Sequence, residues 1–498
     1  MIDWVALSVF AFFFLIVTVI GFVAARWRRG NLKALEEWGL AGRRFGTVIT
    51  WFLLGGDLYT AYTFVAVPGL VFAVGALGFF AVPYTVLIYP LAFLVLPRFW
   101  SVCKANGYMT PSDFVEGQTG SKTLAFIVAL TGIVATMPYI ALQMFGIAVS
   151  VAQMGINPEI ALVVAFLILA AYTYTSGLRA PALIAMVKDG MIFIVLFATI
   201  IAIPIALGGF GPIFRAAQQH AATTPTFHFI LAPQQFMPYA TLVLGSALAL
   251  FLYPHALTGT LASASPEIVK RNAALLPAYS LLLGLLALLG YMALAAHVAP
   301  PKAYGANGIV PALIAQQFPS WFAGFAFAAI SIGAMVPASV MSIAAANLFT
   351  RNIYRPYLRP NYSGTEETNV ARVASLVVKL GALMFIFFVP TTFIINLQLL
   401  GGIIIIQTLP SVFLGLFTKW FHKWALVAGW VAGIATGVSM FAAAHNSSIF
   451  TFVIAGHSYG IYSALSSLII NLAVTALLTP VFQAVGIRPR GNEAKAEA

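Results

Sequence analysis

The sequence predicts an all-α integral membrane protein of about 13 transmembrane helices, on three observations. Hydrophobic residues make up 61% of the 498 and charged residues only 8%. A soluble chain of this length could not cover that much apolar surface with so little charge. The apolar residues fall in runs of about 20 or more, enough to cross a hydrocarbon core roughly 30 Å thick. The basic residues are distributed with a strong bias to one side. Lipid offers the backbone no partner, so the spans are expected to be helices; a β-barrel would show short alternating strands.

The spans read in order as roughly 4–25, 46–73, 76–97, 123–155, 157–176, 180–208, 239–262, 273–298, 321–348, 371–397, 398–418, 423–445 and 461–485. The first is too long and aromatic for a signal peptide and is read as a retained span. With an odd number of spans the termini lie on opposite sides. Taking alternate connections with the C-terminal tail, one side collects 23 of the 25 Lys and Arg residues, leaving Arg215 and Lys302 on the other. The positive-inside rule then puts the N-terminus outside and the C-terminus in the cytoplasm, in a bacterial-type inner (plasma) membrane. On this reading the net charge of +12 serves topology and lipid headgroups, not nucleic acid. The stretch 209–238 has room for an interfacial helix near His220, and Ile309–Gln317 for another. The tail after Arg490 is read as disordered. The single cysteine, Cys103, excludes an intramolecular disulfide and is read as an inert loop thiol.

Several spans are punctuated where a plain anchor would be smooth. The second reads Trp51-Phe-Leu-Leu-Gly-Gly-Asp-Leu-Tyr-Thr60 and the seventh Leu252-Tyr-Pro-His-Ala-Leu-Thr-Gly259. If spans 2–6 form one repeat and 7–11 another, these are the first helices of two repeats with opposite membrane orientation. Broken helices at equivalent places in inverted repeats point to a central transport site. The expected organisation is an additional N-terminal helix and loop (1–45), a first repeat (46–208), a second repeat (209–418) and additional C-terminal helices with the tail (419–498).

Few polar residues sit at depth. Asp57 lies about 11 residues, or roughly 16 Å, into its helix. A carboxylate there binds Na⁺, carries a proton, or stays structural by capping the break after Gly55-Gly56. On the ninth span, Pro337 frees an upstream carbonyl, and Ser339 and Ser342 offer hard oxygen ligands for an alkali cation; the alternative is a packing kink with back-bonded hydroxyls. His255 after Pro254 is either a proton relay or a satisfied neutral histidine. Tyr139 and Gln143, one turn apart after Pro138, either bind solute or glue helices. Lys188-Asp189 is read as interfacial, with gating as the other reading, and no deep Lys or Arg is expected. No phosphate-binding loop, HExxH or Cys cluster is present, so an enzyme or an ATP-driven pump is not expected.

Four stretches resemble the sodium:solute symporter family, over nearly the whole chain. They are Asp57-Leu-Tyr-Thr-Ala-Tyr-Thr63 with Val67-Pro-Gly-Leu-Val-Phe72; Tyr108-Met-Thr-Pro-Ser-Asp-Phe-Val-Glu116; Ser176-Gly-Leu-Arg-Ala180 followed by Lys188-Asp189; and Ala344-Ala-Ala-Asn-Leu-Phe-Thr-Arg-Asn-Ile-Tyr354. The resemblance implies a LeuT-type fold of two inverted five-helix repeats, each with a broken first helix. "GGDLYTAYTF" and "VPASVMSIAAANLFTRNIY" further resemble the branch of monocarboxylate permeases that take up lactate, pyruvate and related short acids.

The family's sodium site uses carbonyls of the first core helix and two hydroxyls of the eighth. Carried onto this chain, the carbonyls fall at Gly56 and Tyr59. The hydroxyl positions fall at Val336 and Pro337, neither of which has a hydroxyl. Either Ser339 moves in beside Pro337 or the ion is a proton held by Asp57. The resemblance places solute near Tyr59, Thr60, Thr63, Gln143, Tyr253 and His255, and ion coupling near Gly56, Asp57, Tyr59, Ser339 and Ser342. It implies a cation-coupled importer of short-chain monocarboxylates, such as lactate, pyruvate, acetate or propionate, working by alternating access. An amino acid or other small neutral solute is the alternative, as is a transport-inactive sensor. The expected partners are a small organic solute, a coupling cation (sodium or proton) and the lipid bilayer, with no cofactor, no other metal and no nucleic acid.

Overall fold

A computed structural model describes residues 2–27, 30–56, 60–361, 363–388 and 394–485. Helix α1 (Trp4–Val23) starts where the Asp3 carboxylate accepts the N–H groups of Val5 and Ala6, a side-chain cap for otherwise orphaned donors. Only Ala6, Val17 and Gly21 of this helix are buried, so it lies at the periphery of the bundle. The short α2 (Leu35–Gly39) follows. The second span is described in two pieces: α3 (Thr47–Gly56) and, beyond residues 57–59, a π-helical turn at Tyr62–Ala66 that leads into α4 (Val67–Val74).

Then come α5 (Ala81–Ala105), α6 (Pro111–Thr119), α7 (Lys122–Ala152), α8 (Pro158–Ser176) and α9 (Arg179–Ala206). The amphipathic α10 (Phe210–Thr223) buries Ile213 and Ala217. α11 (Phe236–Leu250) and α12 (Pro254–Leu261) form the second broken span, bent by 46°. α13 (Pro266–Ala287) and α14 (Leu289–Ala295) make one span, and α15 (Ile309–Gln317) occupies the segment read as a separate helix. α16 (Ser320–Phe349), α17 (Gly364–Phe388), α18 (Ile394–Ile405), α19 (Leu409–Val412) and α20 (Lys423–Ala443) lead to an antiparallel hairpin, β1 (Ile449–Ile454) and β2 (His457–Tyr462), and to α21 (Ser463–Ala484).

Among the described residues, 11 helices are long and apolar enough to cross a membrane, and 12 if the bent pair counts as one span. About 13 were expected. The difference is the second span, present as two apolar helices too short to cross separately; residues 57–59 between them lie outside the described residues. The hairpin was not anticipated in an all-α chain. Its turn, Ala455-Gly456, has both φ angles positive (51° and 81°), the geometry that joins two-residue hairpins.

α16 is the centre of the bundle. Nearly every side chain from Phe322 to Leu348 is buried, as expected of a helix that is apolar all round. Its run of Ala, Gly and Ser lets neighbouring backbones come close; at Gly324, for example, the carbonyl of Ala6 on α1 occupies the space a side chain would take. α16 passes unbroken through Pro337.

Two of the family-like stretches meet at one end of the bundle. Asn352, in the π-helical extension of α16 (Thr350–Leu358), donates to Asp113 Oδ1 at 2.8 Å and pairs with the Thr110 hydroxyl at 2.8 Å. Arg351 donates to Asp113 Oδ2 at 3.3 Å. The third stretch docks nearby. Gly177 has φ +58° and lies where a Cβ would collide with the Trp38 backbone. Leu178 N–H donates to Trp38 O, and Arg179 donates to both the carbonyl and the carboxylate of Glu37. Burial pushes the Glu37 carboxyl up, but the Arg179 and Arg44 guanidiniums more than reverse this and hold it below the usual carboxylate range. These contacts, with Arg43 to Tyr108 O and Arg372 to Leu32 O, gather the basic connections on one face.

Candidate functional site

The two broken spans run side by side in opposite directions. At one end Phe45 exchanges backbone hydrogen bonds with Ala262 and Ala264, and the Thr50 and Ser263 hydroxyls are 3.2 Å apart. From Thr60 the chain is held by its own threonines: Tyr62 N–H donates to Thr60 Oγ1, Thr60 N–H to Thr63 Oγ1, and Thr63 Oγ1 to Thr60 O, all at 2.9–3.0 Å. At the second break Pro254 opens α12, where its missing N–H costs nothing and its fixed φ suits the first turn. No side chain caps the start of α12.

One face of α7 touches both breaks. Gln143 and Tyr139 lie four residues apart and so on the same side of the helix. Gln143 Oε1 accepts the Ala61 N–H at 3.1 Å, bracing the first break. Tyr139 packs against Tyr253 and His255, with ring centroids at 5.6 and 5.5 Å, bracing the second. Gly146, one turn beyond Gln143, leaves room for Ala61. Tyr253 also donates through its hydroxyl to Gln398 O on α18. Thus Thr60, Thr63, Gln143, Tyr253 and His255 are brought together, all at 0–2% exposure. Gln143 Nε2 is buried and has no hydrogen-bond partner among the described residues. Tyr59 and Asp57 lie outside the described residues.

Ser339 and Ser342 are not gathered with Gly56. Ser339 Oγ donates to Met335 O, back along its own helix, and shares a 3.0 Å hydrogen bond with the Tyr172 hydroxyl on α8. Ser342 Oγ donates to Ser339 O and accepts from Ser375 on α17, which in turn accepts from Lys379 Nζ at 2.8 Å.

Instead, Gly56 meets a cation of the protein itself. Lys188 Nζ donates to Gly56 O at 2.5 Å and pairs with Asp189 Oδ1 at 2.8 Å. Both side chains are fully buried, and the Tyr279 side chain lies beside Asp189. This corrects two expectations. The Lys188-Asp189 pair is not interfacial: it lies about 14 Å along α9, nine residues past Arg179. Deep lysines also exist, since Lys379 is buried as well. Neither belongs to the charge count of the basic face. A third correction concerns Cys103, which is not a loop thiol; α5 continues through Pro97 to Ala105 and buries it completely.

The sequence profile of the sodium:solute symporter family matches residues 38–433. Over 484 residues, 97% of this chain and 98% of the relative, the chain is 51% identical to a monocarboxylate transport permease protein of Rhizobium johnstonii. It is 34% identical over 481 residues, 96% of this chain and 93% of the relative, to the uncharacterized symporter YodF of Bacillus subtilis. It is 25% identical over 377 residues, 73% of each chain, to the sodium/proline symporter of Escherichia coli. Among solved structures, a Na⁺-coupled sialic acid symporter in a substrate-bound outward-open state superposes with TM-score 0.77 at 15% identity. The match covers 96% of this chain and 98% of the other, and it shows the shared LeuT-type fold.

Proposed function

The chain belongs to the sodium:solute symporter family, and from that premise we propose that it imports short-chain monocarboxylates such as lactate, pyruvate, acetate and propionate together with a cation. The observation that carries the reading is the buried amide of Gln143. Its oxygen is used by the first break, and its Nε2 is left as a donor facing no described acceptor. A buried donor without a partner costs about 1–3 kcal/mol, a cost that a bound acceptor removes. A carboxylate is such an acceptor. The uncapped start of α12 adds the positive end of a half-helix, which favours an anion. The Thr60 hydroxyl and the His255 imidazole lie in the same buried region, while the hydroxyls of Thr63 and Tyr253 are donated to Thr60 O and Gln398 O and shape it. The 51% identical relative is a monocarboxylate transport permease by name, which supports the same solute class.

In this reading residues 46–208 and 209–418 are the two inverted repeats, and the solute is exchanged across them by alternating access. The face that gathers the basic connections is cytoplasmic, in an inner membrane. A cation carried with the solute offsets the cost of bringing an anion across an inside-negative potential.

Counterflow of labelled lactate in proteoliposomes tests the solute class. Internal pyruvate, acetate and propionate are expected to drive labelled lactate inward, while alanine and proline are not. Counterflow of labelled alanine or proline with no response to monocarboxylates would replace this reading with the amino-acid one.

A further inference from the structure

We infer that Lys188 holds, as a tethered ammonium, the place that a bound sodium ion takes elsewhere in the family, so that uptake by this chain has no sodium requirement. The inference rests on the reading of the chain as a cation-coupled symporter and names which cation it does not use. The physical need for a cation at this place comes from α3 itself. A helix that ends in mid-membrane leaves its last carbonyls without intrahelical partners and its negative dipole end exposed. Gly56 is the last described residue of α3, and its carbonyl is one of the two, with Tyr59, expected to face sodium.

Four features of the site then argue against the ion. The Gly56 carbonyl already accepts a hydrogen bond from Lys188 Nζ at 2.5 Å, a contact with no space for another cation between the atoms. The ammonium is neutralised by Asp189 at 2.8 Å, so the pair brings no unbalanced charge that an incoming ion would correct, and a second cation beside the ammonium would be repelled. The pair is enclosed: Tyr279 lies beside Asp189 and stands edge-on to both Trp51 and Phe193, packing the pair between α3 and α9. Finally, the two positions that would lend hydroxyls to sodium are Val336 and Pro337, and the nearby hydroxyls of Ser339 and Ser342 are engaged with α8 and α17. The residues therefore do not fit sodium.

Gly56 is the sequence signature of the substitution. A Cβ at this position would lie 2.9 Å from Lys188 Nζ and 3.0 Å from Asp189 Oδ2, so glycine lets the ion pair approach the helix without displacing either side chain. Of the two cations left open by the sequence, the proton remains.

The test uses the purified full-length protein in two measurements. In the first, lactate uptake into proteoliposomes under an imposed proton gradient is compared in sodium and in choline medium. The expected result is the same initial rate in both. Uptake that collapses without sodium overturns the inference while leaving the solute class intact. Absence of monocarboxylate uptake under any gradient overturns the proposed function, and the second measurement then decides the inference alone. In that measurement, thermal unfolding is followed in sodium chloride and in choline chloride. The wild-type melting temperature is expected to be the same in both, and a rise specific to sodium overturns the inference. K188A vacates the Gly56 carbonyl and is expected to gain a sodium-specific rise that K188R does not show. A folded K188A protein indifferent to sodium overturns the inference that Lys188 takes the ion's place, because the missing hydroxyls at Val336 and Pro337 then exclude sodium by themselves. Should K188A fail to fold, the two wild-type comparisons decide.

Discussion

Replacing Gln143 by leucine is expected to reduce lactate uptake roughly tenfold or more while the protein still folds and inserts, because a buried donor left without its acceptor costs about 1–3 kcal/mol and every 1.4 kcal/mol is a factor of ten. The Ala61 N–H belongs to the first turn after the break and depends on Gln143 Oε1. Leucine conserves the volume between α7 and the break, so packing against α16 and α18 is retained. Q143E separates the two duties of the amide. It keeps an oxygen for Ala61 but turns the Nε2 donor into an acceptor beside the proposed carboxylate site. Q143E is therefore expected to hold the fold better than Q143L and yet to lose uptake as severely. Uptake by Q143E at the wild-type rate would show that the free amide does not meet the solute.

D113A is expected to be the most destabilising single change on the basic face. Asp113 Oδ1 accepts from Asn352, and Oδ2 accepts from both Arg351 and the Met109 N–H. Removing the carboxylate strands three donors in a part-buried setting. Breaking a buried ion pair by deleting one partner costs about 3–5 kcal/mol. Arg351 keeps some solvent and a second contact with Glu367 at 3.5 Å, which puts D113A at the lower end of that range. D113N retains one acceptor for Asn352 and is expected to melt between wild type and D113A. The check is the thermal unfolding midpoint of the purified variants. A D113A protein that melts with wild type would mean that the 108–116 loop does not fasten the end of α16.

Most of the architecture was legible because its causes are local. Runs of apolar residues give the spans, and the Gly-Gly and Pro-His interruptions mark the two that break. The pair Tyr139 and Gln143 was found from its one-turn spacing after Pro138, and the structure sets it against both breaks. What escaped depends on rotation and depth. Hydropathy read along one dimension treats a lysine as a boundary, so Lys188 was placed at the membrane surface. Only the start of α9 at Arg179 and the face it turns toward Gly56 reveal it as buried. Lys379 was hidden in the same way, and its bond to Ser375 explains why Ser342 turns toward α17. Cys103 was misplaced because Pro97-Arg98 looked like a span end, although α5 carries Pro97 without breaking. The hairpin at 449–462 was short enough to pass for a loop, despite its alternating Ile449, Thr451 and Val453 and its Ala-Gly turn.

Concentrative uptake tests the central claim most directly. Proteoliposomes containing the purified protein would be given external labelled lactate with an inward proton gradient, an inward sodium gradient or neither. Internal lactate is expected to rise above the external concentration under the proton gradient and to fall back to equality when that gradient is collapsed. Lactate that only equilibrates under every gradient, or that does not enter at all, would contradict the account of a cation-coupled monocarboxylate symporter.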